Sequence, residues 1–283
     1  WKYVNSNTVY TLGYCQDGCL DLFVGQGAKL LKYGLPSSGY VLQNDGTGQF
    51  KNVTKAIAPG LIDLGMITNS AASDIDGDGD HDLIIVGEFM GIQFFRNDNG
   101  VFEKVSNTNL DKQTGWWNTI LAKDLDGDGD IDFVIGNHGL NSRFKANEEE
   151  PVALFTSDFD RNGTLDAILS KYASDGNAYP YGLRHNLIDQ IKELKRKYPY
   201  YESFKNASIE DIFSKEQLET ALELRATQMA SVILINDGNF NFTIKELPWQ
   251  AQSSPIFAIA AKDFDKDGDL DLILGGNLYS VKP

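Results

Sequence analysis

Short apolar segments alternate with acidic or glycine-rich turns along most of the chain. Segments such as DLIIVG (82–87) and DFVIG (132–136) are almost continuously apolar, which is typical of strands buried on both faces. Several are followed by two further strand-like segments joined by Asn-Asp-Gly or Asn-Asp-Asn-Gly, as in IQFFRNDNGVFEKVS (92–106) and VILINDGNFNFTIKEL (232–247). This turn chemistry predicts β-hairpins. The pattern therefore predicts an all-β protein made of repeated hairpin units.

An acidic nine-residue loop precedes each of these apolar strands. Complete copies are DIDGDGDHD (74–82), DLDGDGDID (124–132) and DFDKDGDLD (263–271), and DFDRNGTLD (158–166) keeps most of the pattern. A fifth copy, GYCQDGCLD (13–21), keeps only Asp17, Gly18 and Asp21 of the pattern and is called the worn loop. Each unit thus reads as strand A, acidic loop, strand B, connection, strand C, tight turn and strand D. Tandem four-stranded antiparallel units predict a β-propeller; the alternative is a β-sandwich with calcium loops.

The repeats account for about four and a half blades. We expect residues 1–283 to form a single β-propeller domain or a fragment of one. Residues 175–228 interrupt the fourth unit with helical patterns. Leu187, Ile191 and Leu194 share one helical face, while Ser208 and Ser214 are suited to N-caps. The sequence therefore predicts an α-helical insertion within the fourth blade, on the face opposite the acidic loops.

The loop spacing explains why so many carboxylates lie together. Side chains at positions 1, 3, 5 and 9 and the backbone carbonyl at position 7 offer oxygens to one hard cation, and Gly at position 6 permits the turn. Ca²⁺ suits such a set better than Mg²⁺, so we predict three to four Ca²⁺ ions. The predicted metal residues are Asp74, Asp76, Asp78, Asp80, Asp82, Asp124, Asp126, Asp128, Asp130, Asp132, Asp158, Asp160, Asn162, Thr164, Asp166, Asp263, Asp265, Asp267, Asp269 and Asp271.

Charge and composition exclude some partners. The formal charge is -15 and the pI about 4.6, so nucleic acid is not expected to bind. No apolar run of about 18 residues occurs, so no membrane insertion is predicted. Four Ca²⁺ would add eight positive charges and change the balance from -15 to -7. Metal removal should therefore lower stability.

The worn first loop has cysteines at positions 3 and 7. A Cys15–Cys19 disulfide in place of the ion is one hypothesis, and it requires an oxidising compartment. Two small thiols are the alternative. The first ten residues, WKYVNSNTVY, lack an initiator Met and a signal-peptide pattern. They are expected to begin a mature or trimmed chain.

The acidic loops with their DLIIVG-type strands resemble FG-GAP/VCBS repeats, as in the integrin α-chain propeller. Residues 115–142, 158–169 and 256–283 are more closely similar to secreted ASPIC/UnbV-type VCBS-repeat proteins of Bacteroidetes. The resemblance implies a calcium-stabilised propeller exported to the periplasm, the outer-membrane surface or the extracellular space, usually within a longer polypeptide.

The face opposite the calcium loops is the predicted ligand face, because loops on a rigid scaffold commonly carry binding. Its aromatic and imidazole candidates are Trp116, Trp117, His138, Trp249 and Tyr279. Trp117 is also consistent with packing between blades. The predicted function is a binding or scaffold module for a protein or glycan, with other domains or subunits of a surface complex as further partners.

The alternative function is a propeller-based carbohydrate-active enzyme, a lyase or hydrolase. The chain has three His, and no G-x-S-x-G, H-E-x-x-H or P-loop motif occurs. Most clustered carboxylates are assigned to metal, which leaves no acid/base pair evident in the sequence. A third possibility is that the blades only space other domains.

Overall fold

Antiparallel strands form most of the structure, a computed structural model that describes residues 6–14, 18–106 and 110–276. The strands are β1 (Ser6–Leu12), β2 (Asp21–Gln26), β3 (Gly39–Asn44), β4 (Phe50–Asn52), β5 (Met66–Ser73), β6 (Asp82–Met90), β7 (Gln93–Asp98), β8 (Val101–Val105), β9 (Gly115–Trp116), β10 (Thr119–Lys123), β11 (Asp132–Gly136), β12 (Val152–Ser157), β13 (Asp166–Tyr172), β14 (Ala178–Pro180), β15 (Leu222–Ala226), β16 (Val232–Asn236), β17 (Phe242–Glu246), β18 (Ala258–Lys262) and β19 (Asp271–Gly275).

The helices are short. They are α1 (Thr54–Ile57), α2 (Arg184–Gln190), α3 (Leu194–Lys197), α4 (Tyr201–Phe204), α5 (Ile209–Ile212) and α6 (Lys215–Glu219), with 3-10 turns at Pro59–Leu61 and Trp249–Gln252. The predicted caps are confirmed, because the Ser208 and Ser214 hydroxyls accept the N–H groups of Asp211 and Gln217. None of the helices in the described part of the chain has the length and hydrophobicity needed to span a bilayer.

Four sheets carry four-stranded antiparallel paths. The first sheet has the order β1-β2-β3-β4 and the second the order β5-β6-β7-β8, with β9 also paired to β6. The third sheet is β10-β11-β16-β17, and the inserted sheet is β14-β13-β12-β15. The last sheet contains β18 and β19. The all-β prediction with four-stranded units is therefore confirmed.

Hairpin turns follow the predicted chemistry. Between β7 and β8, Asn99 and Gly100 have φ values of 51° and 90°, as a type I′ turn requires at its two central residues. β16 and β17 likewise pair from Val232 opposite Glu246 to Asn236 opposite Phe242. The hairpins predicted from IQFFRNDNGVFEKVS and VILINDGNFNFTIKEL are confirmed.

The strand after the helical segment belongs to a different sheet from the predicted one. The sequence predicts VILIN as strand C of the fourth unit, but β16 pairs with β11, with Val134 opposite Ile233. That pairing prediction is wrong because strand C was expected beside strand B (β13), and β14 occupies that edge of β13 instead. β15 completes the other side of the same sheet by pairing with β12. Residues 137–231 are therefore an insertion between the second and third strands of the third sheet.

The inserted sheet separates two apolar layers. Val152, Leu154 and Ala226 face Met66 and Phe89 of the second sheet. On the opposite side of the sheet, a layer of helical side chains packs against alternate strand residues. This layer includes Ala153, Phe155, Ile168, Leu187, Ile191, Leu194, Ile209, Ile212 and Phe213. The alternation of β12 side chains between two cores accounts for its burial on both faces.

The first strands of successive sheets are neighbours. β1 lies beside β5, β5 beside β10, and β10 beside β18. The Thr8 hydroxyl donates to Asn69 Oδ1 (3.2 Å), and Asn69 Nδ2 donates to the Thr119 hydroxyl (2.9 Å). Polar side chains thus join the first strands of three sheets.

Burial of the second strand varies among the sheets. β6 and β11 are buried on both faces, as predicted. β19 alternates between exposed and half-buried positions, and Ile273 is 55% exposed. The prediction that the second strand is buried on both faces is wrong for β19, because within the described residues β19 pairs only with β18.

Candidate functional site

The first carboxylate of each complete loop holds the backbone turn together. Asp74 accepts the N–H groups of Gly77 (2.8 Å) and Gly79 (3.0 Å) through its two oxygens. Asp124, Asp158 and Asp263 make the corresponding bond to the position 6 glycine of their own loops. The position 6 glycines, at 79, 129, 163 and 268, all have positive φ, between 88° and 100°. This is the conformation for which Gly was expected there.

The ninth carboxylate joins the loop to the strands behind it. Asp82 accepts the N–H groups of Ile75 (2.9 Å) and Asn97 (2.8 Å), while Asp132 accepts those of Leu125 (2.9 Å) and Asn236 (2.9 Å). Asp82 and Asp132 are buried to 0% and 1% exposure, whereas Asp271 is exposed. In the first three sheets the third strand supplies the covering N–H, and within the described residues the last sheet has no such strand.

Three carboxylates converge in each of four loops. Their oxygens lie within 4.8 Å of one another in every group. The groups are Asp74, Asp76 and Asp78; Asp124, Asp126 and Asp132; Asp158, Asp160 and Asp166; and Asp263, Asp265 and Asp271. These twelve side chains are a subset of the predicted metal residues, and each group is able to hold a metal ion.

Most of the remaining predicted metal residues are at positions 5 and 7 and shape the loops, and Asp78, at position 5, does so in addition to converging with Asp74 and Asp76. At position 5, Asp78, Asp128, Asn162 and Asp267 accept the N–H of the position 7 residue, namely Asp80, Asp130, Thr164 and Asp269. Asp80 also accepts the Asn99 N–H (2.9 Å), so its carboxylate is directed at the hairpin of the same sheet. The role of the position 7 carbonyl as a ligand stays a prediction.

The donor set fits a hard cation. All converging atoms are carboxylate oxygens, the ligands that Ca²⁺ and Mg²⁺ prefer. Asp76 Oδ1 is buried and has no hydrogen-bond partner in the described structure, so a cation would satisfy it. Burial raises the pKa of Asp82 to about 7, and the neighbouring Asp76 and Asp78 charges add to this effect. Burial likewise raises the pKa of Asp166. Ionisation of these carboxylates is therefore unfavourable without a compensating positive charge.

The fourth loop in sequence order, 158–166, is also attached to the helices. The ring of Phe159 stacks on that of Phe213 with a 4.0 Å centroid separation. Gln217 Nε2 donates to the Phe159 carbonyl (2.7 Å). An ion pair between Arg161 and Glu216 (3.2 Å) also joins the loop to the helices, but it is exposed and contributes little to stability. The acidic loop and the helical layer are therefore in direct contact.

The worn loop is only partly described. Gly18 has a φ of 84°, as the position 6 glycines do, and Asp21 is buried and accepts the Asn44 N–H (2.8 Å). Cys15 lies outside the described residues, so the predicted Cys15–Cys19 disulfide stays a prediction. The ninth carboxylate thus retains its structural contact where other ligand positions are lost.

A pocket of about 770 Å³ lies between the inserted sheet and the ends of the second and third sheets. Glu88, at the far end of β6 from the acidic loop, lines one side. Six residues separate it from Asp82, or about 20 Å at 3.4 Å per strand residue. Other residues that line the pocket include Trp116, Asn118, His138, Arg143, Phe144, Tyr181 and Phe257. The Glu88 side of the pocket is therefore at the far end of β6 from the loop 74–82, whereas Ala167, next to Asp166 of the loop 158–166, also lines the pocket.

Two of the predicted ligand-face residues meet in this pocket. The imidazole of His138 stacks on the indole of Trp116 at 5.1 Å and 20°, and Phe144 packs edge-on to His138 at 5.1 Å. Burial lowers the pKa of His138, so its imidazole is neutral at neutral pH. No hydrogen bond joins its ring to any residue that the structure describes.

Two of the other three candidates lie elsewhere in the described structure. Trp117 is 1% exposed and donates its Nε1–H to the Met90 carbonyl (3.0 Å), so it is a core residue. Trp249 is 76% exposed and does not line this pocket. Tyr279 lies outside the described residues. Only Trp116 and His138 are brought together.

Sequence reasoning missed several pocket residues and one repeated structural residue. Arg143, Phe144 and Tyr181 come from the insertion, where no repeat pattern marks them. The Asn before each hairpin turn was visible as a repeated letter at positions 44, 97 and 236. Its backbone N–H binds the ninth carboxylate in all three sheets. Aligning the hairpins with their loops could have revealed this connection.

Acidic loops repeated between the first and second strands of antiparallel sheets define a class of β-repeat protein with candidate cation sites. Residues 14–85 and 74–135 match the family model of the FG-GAP-like repeat, so this part of the chain consists of FG-GAP-like repeats. The match includes the worn loop and the next two; the loops at 158–166 and 263–271 lie beyond it.

A solved structure similar to the chain is that of the V. cholerae biofilm matrix protein Bap1, with 11% sequence identity and a TM-score of 0.29. The similarity covers 98% of this chain and 59% of Bap1, so the chain spans less than two thirds of that protein. No curated protein sequence matches the chain.

Proposed function

We propose that the chain is a calcium-binding β-propeller module that acts as a binding or scaffold unit for a protein or glycan. The observation that carries the proposal is the convergence of three carboxylates in each of four separate loops, at positions 1, 3 and 9 in three of them and at positions 1, 3 and 5 in the loop 74–82. A single acidic turn has many explanations, but four turns that each bring three carboxylate oxygens within 4.8 Å of one another support a common role. We propose that this role is to hold a cation.

Calcium is the proposed ion, with three or four per chain. The loops offer only oxygen ligands, and the loop geometry can supply the six to eight that Ca²⁺ accepts. Mg²⁺ requires a tighter octahedron and retains more water. The residues proposed to hold the ions are those of the sequence-predicted set, with the twelve converging carboxylates as its centre.

A propeller is the proposed arrangement of the sheets. The adjacency of β1, β5, β10 and β18 supports it, because the first strands of propeller blades surround a common axis. We propose that residues 1–283 form one such domain or a fragment of it, with the 175–228 helical segment as an insertion. The two strands of the last sheet are then an incomplete blade.

An exported location fits the proposed ion. Calcium modules with modest affinity are filled at extracellular concentrations, on the order of 10⁻⁴–10⁻³ M. We therefore propose the periplasm, the outer-membrane surface or the extracellular space. The partner is proposed to bind the face that carries the 770 Å³ pocket, since the predicted ligand-face residues Trp116 and His138 line that pocket.

Thermal unfolding with excess Ca²⁺, with Mg²⁺ and with a chelator tests the ion. We expect Ca²⁺ to raise the melting temperature by more than about 5 °C over the chelated protein, and Mg²⁺ to raise it less. Metal analysis should find three or four ions per chain. Asp124→Asn should lose one ion, while Glu103→Gln, an exposed charge outside the loops, should lose none. Equal melting temperatures and no bound metal would contradict the proposal.

A further inference from the structure

The pocket between the inserted sheet and the ends of the second and third sheets is built like a small-molecule site. Its volume of about 770 Å³ is within the usual range of about 300–1,000 Å³ for such sites. Its walls come from separate parts of the chain: the end of β6, the segment before β10, the segment after β11, β13 and the start of α2. Pockets between structural units are common ligand sites.

Three polar groups on its lining have spare hydrogen-bonding capacity. The Glu88 carboxylate accepts from the Tyr33 hydroxyl (2.5 Å), its one hydrogen bond to a side chain that the structure describes. The His138 ring nitrogens, in a side chain that is 7% exposed, make no hydrogen bond to the described residues. Asn118 Nδ2 is also without a partner in that part of the chain. Both acceptors and donors therefore face one cavity.

A positive charge lies at the same site. The Arg143 guanidinium lies 5.3 Å from the Phe144 ring centroid and 5.4 Å from that of Tyr181. No carboxylate pairs with it among the described residues, although Asp and Glu outnumber Lys and Arg by 40 to 25. The two rings hold the guanidinium in place and leave its N–H groups available to an anionic ligand group.

The pocket also has an aromatic face open to a ligand. Phe257 lines the pocket and is 47% exposed, and no other described aromatic ring packs on it. Trp116 is instead enclosed by Phe89, His138 and Phe144 and forms the wall. An exposed ring on a site otherwise lined by hydrogen-bonding groups suits the C–H face of a sugar.

We propose that this pocket binds one pyranose unit that carries a carboxylate, as in a uronic-acid-containing saccharide. Each sugar hydroxyl both donates and accepts, so neighbouring hydroxyls pair with Glu88 and with His138 or Asn118. The carboxylate pairs with Arg143, and the apolar ring face packs on Phe257. A peptide offers a carboxylate but lacks adjacent hydroxyls, so it meets only part of this arrangement.

This inference deepens the proposed binding function and rests on it. It identifies the ligand class, and the residues on which its test depends, Arg143 and Phe257, lie outside the acidic loops, although Ala167, next to Asp166, also lines the pocket. The ligand is titrated into calcium-saturated protein, so the ligand test and the calcium test fail separately.

Calorimetric titration of the calcium-saturated protein tests the ligand class. The probes are methyl β-D-glucuronide, methyl β-D-glucoside and N-acetylglutamate. We expect the glucuronide to bind about tenfold or more tightly than the glucoside, because one charge-assisted pair separates them. N-acetylglutamate should bind more weakly than the glucuronide.

Two variants locate the site. Arg143→Gln should remove the preference for the glucuronide and leave glucoside binding unchanged. Phe257→Ala should weaken both sugars about tenfold or more. The matched controls are Arg96→Gln on β7 and Phe50→Ala on β4, where the ring is 43% exposed; neither should change binding. All four side chains are at least partly exposed, and melting temperatures within a few degrees of the wild type would verify folding.

The overturning results are distinct. If neither sugar binds while Ca²⁺ still raises the melting temperature, the pocket inference is wrong and the calcium module stands. Equal binding of N-acetylglutamate would make this a carboxylate or peptide site. Sugar binding that is unaffected by both pocket variants would also overturn the inference, because the sugar would then bind elsewhere.

Discussion

The ninth aspartate has two structural contacts in the loops 74–82 and 124–132 before any ion binds. Asp82 accepts one N–H from its own loop and one from Asn97 across the sheet, and the same pair of bonds forms at Asp132. The Asn97 side chain adds a bond from Nδ2 to the His81 carbonyl (3.2 Å). A carboxylate that a metal ligand pattern predicts is therefore also the attachment point between the loop and the hairpin.

Removing this carboxylate should therefore destabilise even the calcium-free protein. We expect Asp82→Ala to lower the free energy of unfolding by about 2–5 kcal/mol, because two buried N–H groups lose their acceptor. Asp271→Ala removes the same loop position in the last sheet, where the carboxylate is exposed, and should cost less than about 1 kcal/mol. Urea unfolding in chelator measures both.

A similar loss in the two variants would indicate that carboxylate repulsion, rather than the contact to the hairpin, determines stability at this position.

Spacing predicted the loop residues well because one short segment contains the whole pattern. The pocket could not be predicted in the same way. Arg143, Tyr181 and Phe257 lie far apart in sequence, and nothing in their local sequence distinguishes them from surface residues. Trp117 and Trp116 are adjacent, yet one is a core residue and the other lines the pocket. Only the direction of each side chain in the fold separates the two.

Among the elements, strand pairing is the feature that periodicity does not determine. β16 and β15 are both short strands that follow the helical segment, and either could complete the sheet of β12. The structure pairs β15 with β12 and β16 with β11. Hairpins are predictable because their two strands are contiguous, whereas this choice depends on contacts across the insertion.

Engineered disulfides test that pairing. Val134 lies opposite Ile233, so Val134→Cys combined with Ile233→Cys should form a cross-link detectable by non-reducing peptide mass mapping. Opposite residues in antiparallel strands have Cα atoms about 4.5–5.5 Å apart, within disulfide range. As a control, Val134→Cys with Lys245→Cys joins positions two strands apart, at about 9.5 Å, and should not cross-link.

If the control pair cross-linked and the first pair did not, the strand order β10-β11-β16-β17 would be wrong.

At the scale of the whole molecule, charge is the dominant electrostatic feature. The chain carries a formal charge of -15, and at least twelve carboxylates are concentrated in the four groups. Self-repulsion of this kind destabilises a compact state, and salt screens it over about 10 Å at 0.1 M. Bound Ca²⁺ would neutralise the negative charge within the acidic loops.

Salt should consequently affect the two forms differently. In chelator, raising NaCl from about 0.05 M to about 0.5 M should raise the melting temperature, because the Debye length shortens. With Ca²⁺ saturating the loops, the same change should have a smaller effect. Differential scanning calorimetry at both salt concentrations measures this, and KCl in place of NaCl controls for specific ion effects. An equal shift in both forms would show that repulsion within the loops is not the main term.

The placement of residues 137–231 inside the third sheet has a consequence for how the protein forms during translation. Ile135 pairs with Val232, which is 97 positions later (232 - 135). At about 5–20 residues per second, β11 leaves the ribosome about 5–20 s before its partner strand is made. The inserted sheet is complete at Ala226 and can fold first. The third sheet therefore closes around an inserted unit that has already been synthesised.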